Sequence, residues 1–444
     1  MLFLDKEFFN KFAGIVYGQL LKGEILTLSL SAEDTLFVRV NSNKVRQISH
    51  VCQGLLNICF YQNNKSMSSY VYLSGILDND VLLLKKEIEI SREILKGLPD
   101  DPFIVFPQNL GASEYESLPK IPSEAEIVEL ALSQSGQLDL AGLITRGVIV
   151  RANSNSLGQL HWFKTQNFYV DYSIYNHKQN AVKNLYAGQN WNANSFKDNL
   201  NASIKKLKIM DKETKTVPRG QYKVYLEPAA VDDILSILNW EGLSMGAHKR
   251  GKGSLKDLWE GNKKLSPLFT LTEDFNLSLR HRFNELGELA DMKMPVIERG
   301  ELKNLFTSNR TAKEFQIPSN KASSFEGMRS PVIETGTLKR EEILSKLGTG
   351  LYISNLHYLN WSDRQSARIT GMTRYACFWV ENGEIQAPIK DLRFDESIYH
   401  VFGSGLLEIT EFSEILPNTG SYEQRDVGGA KIPGMLIKDF TFTL

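Results

Sequence analysis

The sequence predicts a multi-domain α+β protein built largely from antiparallel sheets with packed helices, and three observations carry that expectation. At 444 residues the chain exceeds one ordinary domain, which points to two or three. Apolar, β-branched and aromatic runs such as LFVRV and VYL recur between polar turns, the mark of antiparallel strands. Separate stretches repeat apolar residues at helical spacing and end at glycine or proline.

The elements follow in chain order. Phe8, Phe12, Ile15, Val16 and Leu20 give an amphipathic helix at the start. From Thr35 to Ser74, strands broken by NSN and YQNNKS form a small antiparallel sheet. Asp80 to Lys96 reads as a helix with Val81, Leu84, Ile88 and Leu95 inward, stopped by Gly97 and Pro99. The proline- and turn-rich stretch from Asp100 to Pro122 is the linker candidate, so one region spans 1–105 and the next 106–220. Ser123 and Glu126 have capping-box spacing and open a helix that ends near Gly136. Leu138 to Tyr175 reads as a long hairpin turning at NSNSLG. Phe196, Leu200, Ile204 and Leu207 mark a helix whose Lys205, Lys206 and Lys208 form a solvated face. A third, strand-rich region covers 221–444. It opens with a strand running into a helix begun by Pro228, with Val231, Ile234, Leu235 and Leu238 buried. One further helix is expected from Lys339 to Leu347.

Composition narrows the function classes. With 42% hydrophobic, 23% charged and 10% aromatic residues, the chain has the balance of a folded protein. Lysine and arginine (51) nearly cancel aspartate and glutamate (52), so no field favours nucleic acid or an anionic membrane. Asp5, Lys6, Glu7 and Lys11 interrupt any signal-peptide core, and no apolar run reaches the roughly 18 residues that a membrane helix needs. Cys52, Cys59 and Cys377 have no zinc-ligand spacing and fit a reducing cytoplasm.

A zinc hydrolase needs three protein ligands and usually a carboxylate to take the proton of the bound water. The seven histidines form no close pair, leaving only a dispersed set such as His248, His281 and His357. No nucleophile elbow, Walker loop or dinucleotide fingerprint is present. The most distinctive stretch runs from Gly350 to Ile385. There Tyr352, His357, Asp363, Arg364, Arg368 and Arg374 either line a groove for a peptide backbone or carboxylate, or brace the strands. A metal-independent hydrolase using Asp363 and Glu381 is a further option.

Several landmarks occur in a family order. Arg151 to Gly158 (RANSNSLG) is followed by Tyr186, Gly188 and Trp191, then by the strand and proline-started helix of Val224 to Leu235, then by GLYISNL and WVENGEIQAP. Together these resemble the TldD/PmbA family of peptidase-related proteins, also described as modulators of DNA gyrase. The catalytic branch of that family carries H-E-x-x-x-H on the helix and a cysteine ligand in a glycine-rich C-terminal segment. Here Ser236, Ile237 and Glu241 stand at the motif positions, and Asn418 to Gly434 contains no cysteine. The resemblance is therefore to the PmbA/TldE-like, metal-free branch, and it implies no cofactor and no metal. It also implies a peptide substrate held largely by backbone pairing, and a cytoplasmic homodimer, or a heterodimer with a zinc-binding TldD-like chain. Two functions follow from it. One is a non-catalytic subunit of a peptidase complex, inactive alone; the other is a peptide-binding or scaffolding homodimer.

Overall fold

The computed structural model describes residues 2–443. Helix α1 (Lys6–Tyr17) begins where Asp5 accepts the Phe8 amide at 2.8 Å, and it buries Phe8, Phe9, Phe12, Ala13 and Val16. That stripe leaves Ile15, expected inside, 40% exposed. Three antiparallel strands follow, β1 (Ile25–Asn41), β2 (Lys44–Gln62) and β3 (Lys65–Leu73), closed by helix α2 (Leu77–Gly97). The sheet thus starts ten residues before Thr35. Glu33 and Asp34 break the apolar alternation, yet they stay in register with Gln53 and Cys52. Glu33 is only 2% exposed and accepts a hydrogen bond from Gln53 Nε2 at 2.7 Å on one oxygen, which offsets part of the cost of burying it.

The stretch expected to be a linker contains a strand, β4 (Ala112–Ser117). After it come α3 (Glu124–Ser135), β5 (Asp139–Asn155), β6 (Leu160–Tyr175), β7 (Ala181–Gly188) and α4 (Ala193–Ile209). The Ser123–Glu126 capping box forms in both directions, and the β5–β6 hairpin turns where NSNSLG places it. The first sheet has the order β3-β2-β1-β5-β6-β4, with β7 also on β6. Because β1 pairs β5 from Thr27–Asn155 to Val40–Gly142, residues on both sides of position 105 share one sheet. One end of the sheet packs on α1 and α2, the other on α3 and α4. Lys206 does not simply face solvent: its ammonium pairs with Glu227.

The remaining chain builds a 13-stranded sheet around one helix. Strand β8 (Gly220–Leu226) leads into α5 (Pro228–Ser236), with Pro228 in its first turn. Short helices α6 (Met245–Lys249) and α7 (Lys256–Trp259) precede β9 (Leu271–Asp274), β10 (Lys293–Glu298) and β11 (Glu301–Leu302). Next come α8 (Asn309–Phe315), β12 (Pro331–Ile333) and α9 (Ile343–Leu347). Nothing in the sequence pattern marks α6, α7 or α8, since four to seven residues hold too few turns to show a period. The expected helix from Lys339 is a 3-10 turn (Arg340–Glu342) before α9. The last strands are β13 (Gly350–Ile353), β14 (Asn355–Asp363), β15 (Arg368–Arg374), β16 (Phe378–Glu381), β17 (Glu384–Pro388), β18 (Arg393–Ser397), β19 (Leu406–Pro417) and β20 (Gly429–Phe442). Ala230, Val231, Ile234 and Leu235 of α5 are fully enclosed in this second core. Ala376 and Phe378 reach across into the core of α4 and β5 to β7, joining the two sheets.

Glycine in β5 serves close approach. A Cβ on Gly147 would lie 2.1 Å from the Asp34 carbonyl oxygen and 2.7 Å from the Thr35 Cα, both backbone atoms of β1. Gly147→Ala is therefore expected to lower stability by about 1–3 kcal/mol in urea unfolding, the range for overpacking a tight contact. Loss of the Ser123 cap (Ser123→Ala) should remove about 1 kcal/mol. Equal stability of Gly147→Ala and wild type would contradict the β1–β5 contact described.

Candidate functional site

The site begins at α5. Its first turn needs no side-chain cap on the proline nitrogen, and its buried stripe fixes the rotation of the helix in the core. The helix ends at Ser236, continues as one 3-10 turn from Ile237 to Asn239, and breaks as Glu241 takes a left-handed φ of 66°. Ser236 is exposed and its hydroxyl donates to the Asp233 carbonyl at 2.8 Å. Ile237 is buried in the core, and Glu241 pairs with the Arg364 guanidinium. A hydroxyl committed to its own helix, an enclosed alkyl chain and a carboxylate held by arginine do not fit a zinc site. Among the described residues no group of three or more histidine, cysteine, aspartate or glutamate side chains could hold a metal ion. His248, His281 and His357 lie apart: the first contacts the Gly242 carbonyl at 2.9 Å, the second stacks near Phe283, the third near Tyr358.

Beyond Glu241 lies a cleft of about 890 Å³ between the two sheets. Tyr61 and Phe103 line it from the first sheet's side; Trp240, Glu241, Phe325 and Arg364 line it from the second. Arg310 pairs with Asp101, and Lys313 donates to the Ile104 carbonyl at 2.6 Å, so the connecting segment is pinned along one wall. A smaller cavity of about 370 Å³ adjoins the cleft, and Asn284 and Glu285 border both. Its wall includes Asn418, Gln424 and Asp426 of the glycine-rich C-terminal segment. Glu241 and the segment from Asn418 to Asp426, far apart in sequence, therefore border neighbouring spaces.

The six groove candidates do not line one groove. Arg364 reaches the cleft. Tyr352 is turned into a separate pocket, where its hydroxyl donates to Glu227. His357 sits on β14 within electrostatic reach of Arg374 and Asp391, which with burial affects its proton affinity: burial and Arg374 lower its pKa. Arg368 pairs with Asp395 at 2.6 Å, and Asp363 accepts the Ser366 hydroxyl at 2.6 Å within its own turn. These contacts are the bracing alternative. Asp363 and Glu381 stand on β14 and β16, with β15, β18, β20, β8 and β13 between them, so they cannot act on one reacting bond. Sequence reasoning missed the buried arginines Arg151, Arg329 and Arg425 and the half-buried Arg280. The available signal was a charged residue inside the apolar strand VIVRA.

Residues 219–444 match the family model for the PmbA/TldA metallopeptidase C-terminal domain. The chain belongs to the PmbA/TldD family. Similar solved structures include TldE from Thermococcus kodakarensis, at 15% identity and TM-score 0.79, covering 98% of this chain and 100% of that one. A protein from Thermotoga maritima described as a modulator of a DNA gyrase gives 14% identity, TM-score 0.75 and coverage of 98% and 100%. One from Bacteroides thetaiotaomicron, described likewise, gives 16%, 0.73, and 98% of each chain. At these identities the likeness establishes the fold. No curated protein matches the sequence. The α+β architecture is that of the family, and no helix among the described residues is long and apolar enough to cross a membrane.

In this PmbA/TldD chain the helix leading to the cleft also carries two adjacent carboxyls in apolar surroundings. Burial pushes Asp232 up to about 6 and Asp233 up to about 7. Asp233 accepts the Leu356 amide at 3.0 Å, tying α5 to β14. With the folded pKa raised above the unfolded value of about 3.9, the folded state binds more protons between about pH 4 and 7. Stability from this group is present below that window and is lost as pH rises through it. Asp233→Asn keeps an oxygen acceptor and removes the charge. Urea unfolding at about pH 5 and about pH 8 should show the variant losing less stability between the two than wild type. An unchanged difference would rule out Asp233 as a contributor.

Proposed function

We propose that this chain is a metal-free, non-catalytic PmbA/TldD subunit that holds polypeptide in the cleft beside a zinc-binding, TldD-like partner. The carrying observation is the state of the three motif positions. Ser236, Ile237 and Glu241 do not even share a helical face, because the helix ends before Glu241 reverses the backbone. A single lost ligand leaves a repairable site; here the scaffold that would aim three ligands is absent as well. The cleft nevertheless persists, with aromatic walls and polar groups suited to an extended chain. Edge strand β14 is a poor template for an added strand, since bulges interrupt its ladder at His357/Asn360 and Trp361/Asp363. This favours the cleft over that edge. The similarity to TldE of Thermococcus kodakarensis supports the reading, and three free cysteines suit a reducing cytoplasm.

The purified chain is expected to contain no stoichiometric zinc by elemental analysis and to leave a peptide panel uncleaved. Mixed with a companion from its source cells that carries H-E-x-x-x-H, it should co-purify and support cleavage. One tightly bound zinc per chain, or hydrolysis by the chain alone, overturns the reading. Recovery of self-association only would favour the scaffolding homodimer.

A further inference from the structure

The smaller cavity gathers Arg151, Arg280, Arg329 and His281, with the carboxylates of Asp426 and Glu285 also in its wall. Its floor is the β1–β5 ladder, where Ser29 opposes Asn153 and Ser31 opposes Arg151. Arg280, His281 and Arg329 close it from the second unit. Arg151 is 8% exposed, and its two terminal nitrogens donate only to neutral carbonyls, those of Val150 at 2.9 Å and Arg425 at 3.0 Å. Arg329, 7% exposed, donates to the Arg282 and Phe283 carbonyls, and its Nε lies 3.9 Å from Glu273, beyond hydrogen-bond length. Arg280 takes part in none of the side-chain hydrogen bonds or ion pairs among the described residues, and its Nε is enclosed without a partner. The Nδ1 of His281 is likewise enclosed and unpartnered. Burial, with Arg280, Arg151 and Arg329 nearby, holds that imidazole neutral.

The Arg280 guanidinium is half-buried; Glu273, Asp426 and Glu285 lie within electrostatic reach, yet none of them hydrogen-bonds to it. Its fork of donors is accounted for if the acceptor is a ligand. A planar guanidinium fork matches a carboxylate by two parallel hydrogen bonds. Asp426 and Glu285 in the walls disfavour a dianion such as phosphate. Asn284 and Glu285 line both the cavity and the cleft, so the two spaces are neighbours.

We propose that this cavity is a carboxylate pocket: Arg280 forks the carboxylate of a polypeptide lying in the adjoining cleft, supported by Arg151, Arg329 and His281. The ligand's source rests on the polypeptide-binding reading; the pocket's chemistry does not. That carboxylate is the chain terminus or an acidic side chain.

The full chain is melted with N-acetylalanine, with its neutral amide, and with inorganic phosphate. N-acetylalanine should raise Tm and the amide should not. Arg280→Met should abolish the shift and, unliganded, melt no lower than wild type, because the Arg280 side chain makes no hydrogen bond among the described residues; a merely structural arginine would melt lower. Arg280→Lys keeps the charge without the fork and should give a reduced shift. Short fluorescein-labelled peptides with neutral side chains identify the source by anisotropy: one with a free C-terminus, one amidated, and one amidated with an internal glutamate. The peptide that binds best should bind Arg280→Met about tenfold or more weakly. No shift with N-acetylalanine, an equal shift in Arg280→Met, or a shift with phosphate alone overturns the pocket. Response to N-acetylalanine without binding of any peptide leaves the pocket standing and overturns the polypeptide reading. Equal binding of all three peptides to wild type and Arg280→Met overturns the pocket and leaves that reading standing.

Discussion

Strands β1 and β5 lie about a hundred residues apart in the chain and pair over fourteen register positions, from Thr27–Asn155 to Val40–Gly142. Closing so long a loop has an entropic cost that rises only slowly with its length, whereas each ladder position contributes a backbone hydrogen-bond partner or a packed side chain. Gly147 lets the two backbones approach, as no other residue would at that spot. The ladder unites what composition alone divides at the proline-rich stretch. It also aligns Ser29, Ser31, Arg151 and Asn153 on one face, the floor against which the second unit closes.

The second constraint is the rotation of α5. Once Val231, Ile234 and Leu235 are seated, Ser236 must face out and Ile237 must face in. A histidine or a general base at Ile237 would be enclosed by alkyl side chains, where an unpaired polar group is strongly penalised. A hydroxyl bonded to its own helix, an enclosed alkyl chain and an arginine-paired carboxylate thus finish the helix. The cleft beside it did not fill in, because its walls come from three other segments: the pinned stretch around Phe103, the loop at Asn284, and the exposed Phe325.

Stability and function pull apart most visibly around the arginines. Several buried charges are answered: Glu24 by Arg92 at 2.7 Å, Glu326 by two backbone amides and the Ser244 hydroxyl. Arg280 Nε and His281 Nδ1 are enclosed without a partner at a cavity wall, as are Nε and Nη1 of the neighbouring Arg425. Local departures from consistency of this kind concentrate where a protein meets something other than itself.

The sequence by itself determined whatever depends on neighbours a few residues away. The Ser123 capping box, the NSNSLG hairpin, the stripe of α4 and the proline-started α5 were all legible because period and cap lie within one short window. Tertiary structure alone decided the rest. The early part of β1 reads as polar because Glu33 finds its partners in Gln53 and Arg425, and β4 hides in a proline-rich stretch because its partner is β6. The groove candidates between Tyr352 and Arg374 scatter because Glu227, Glu241 and Asp395 claim Tyr352, Arg364 and Arg368. The arginine cavity gathers residues from positions 151, 280 and 329, whose common charge would keep them apart unless a folded scaffold held them together.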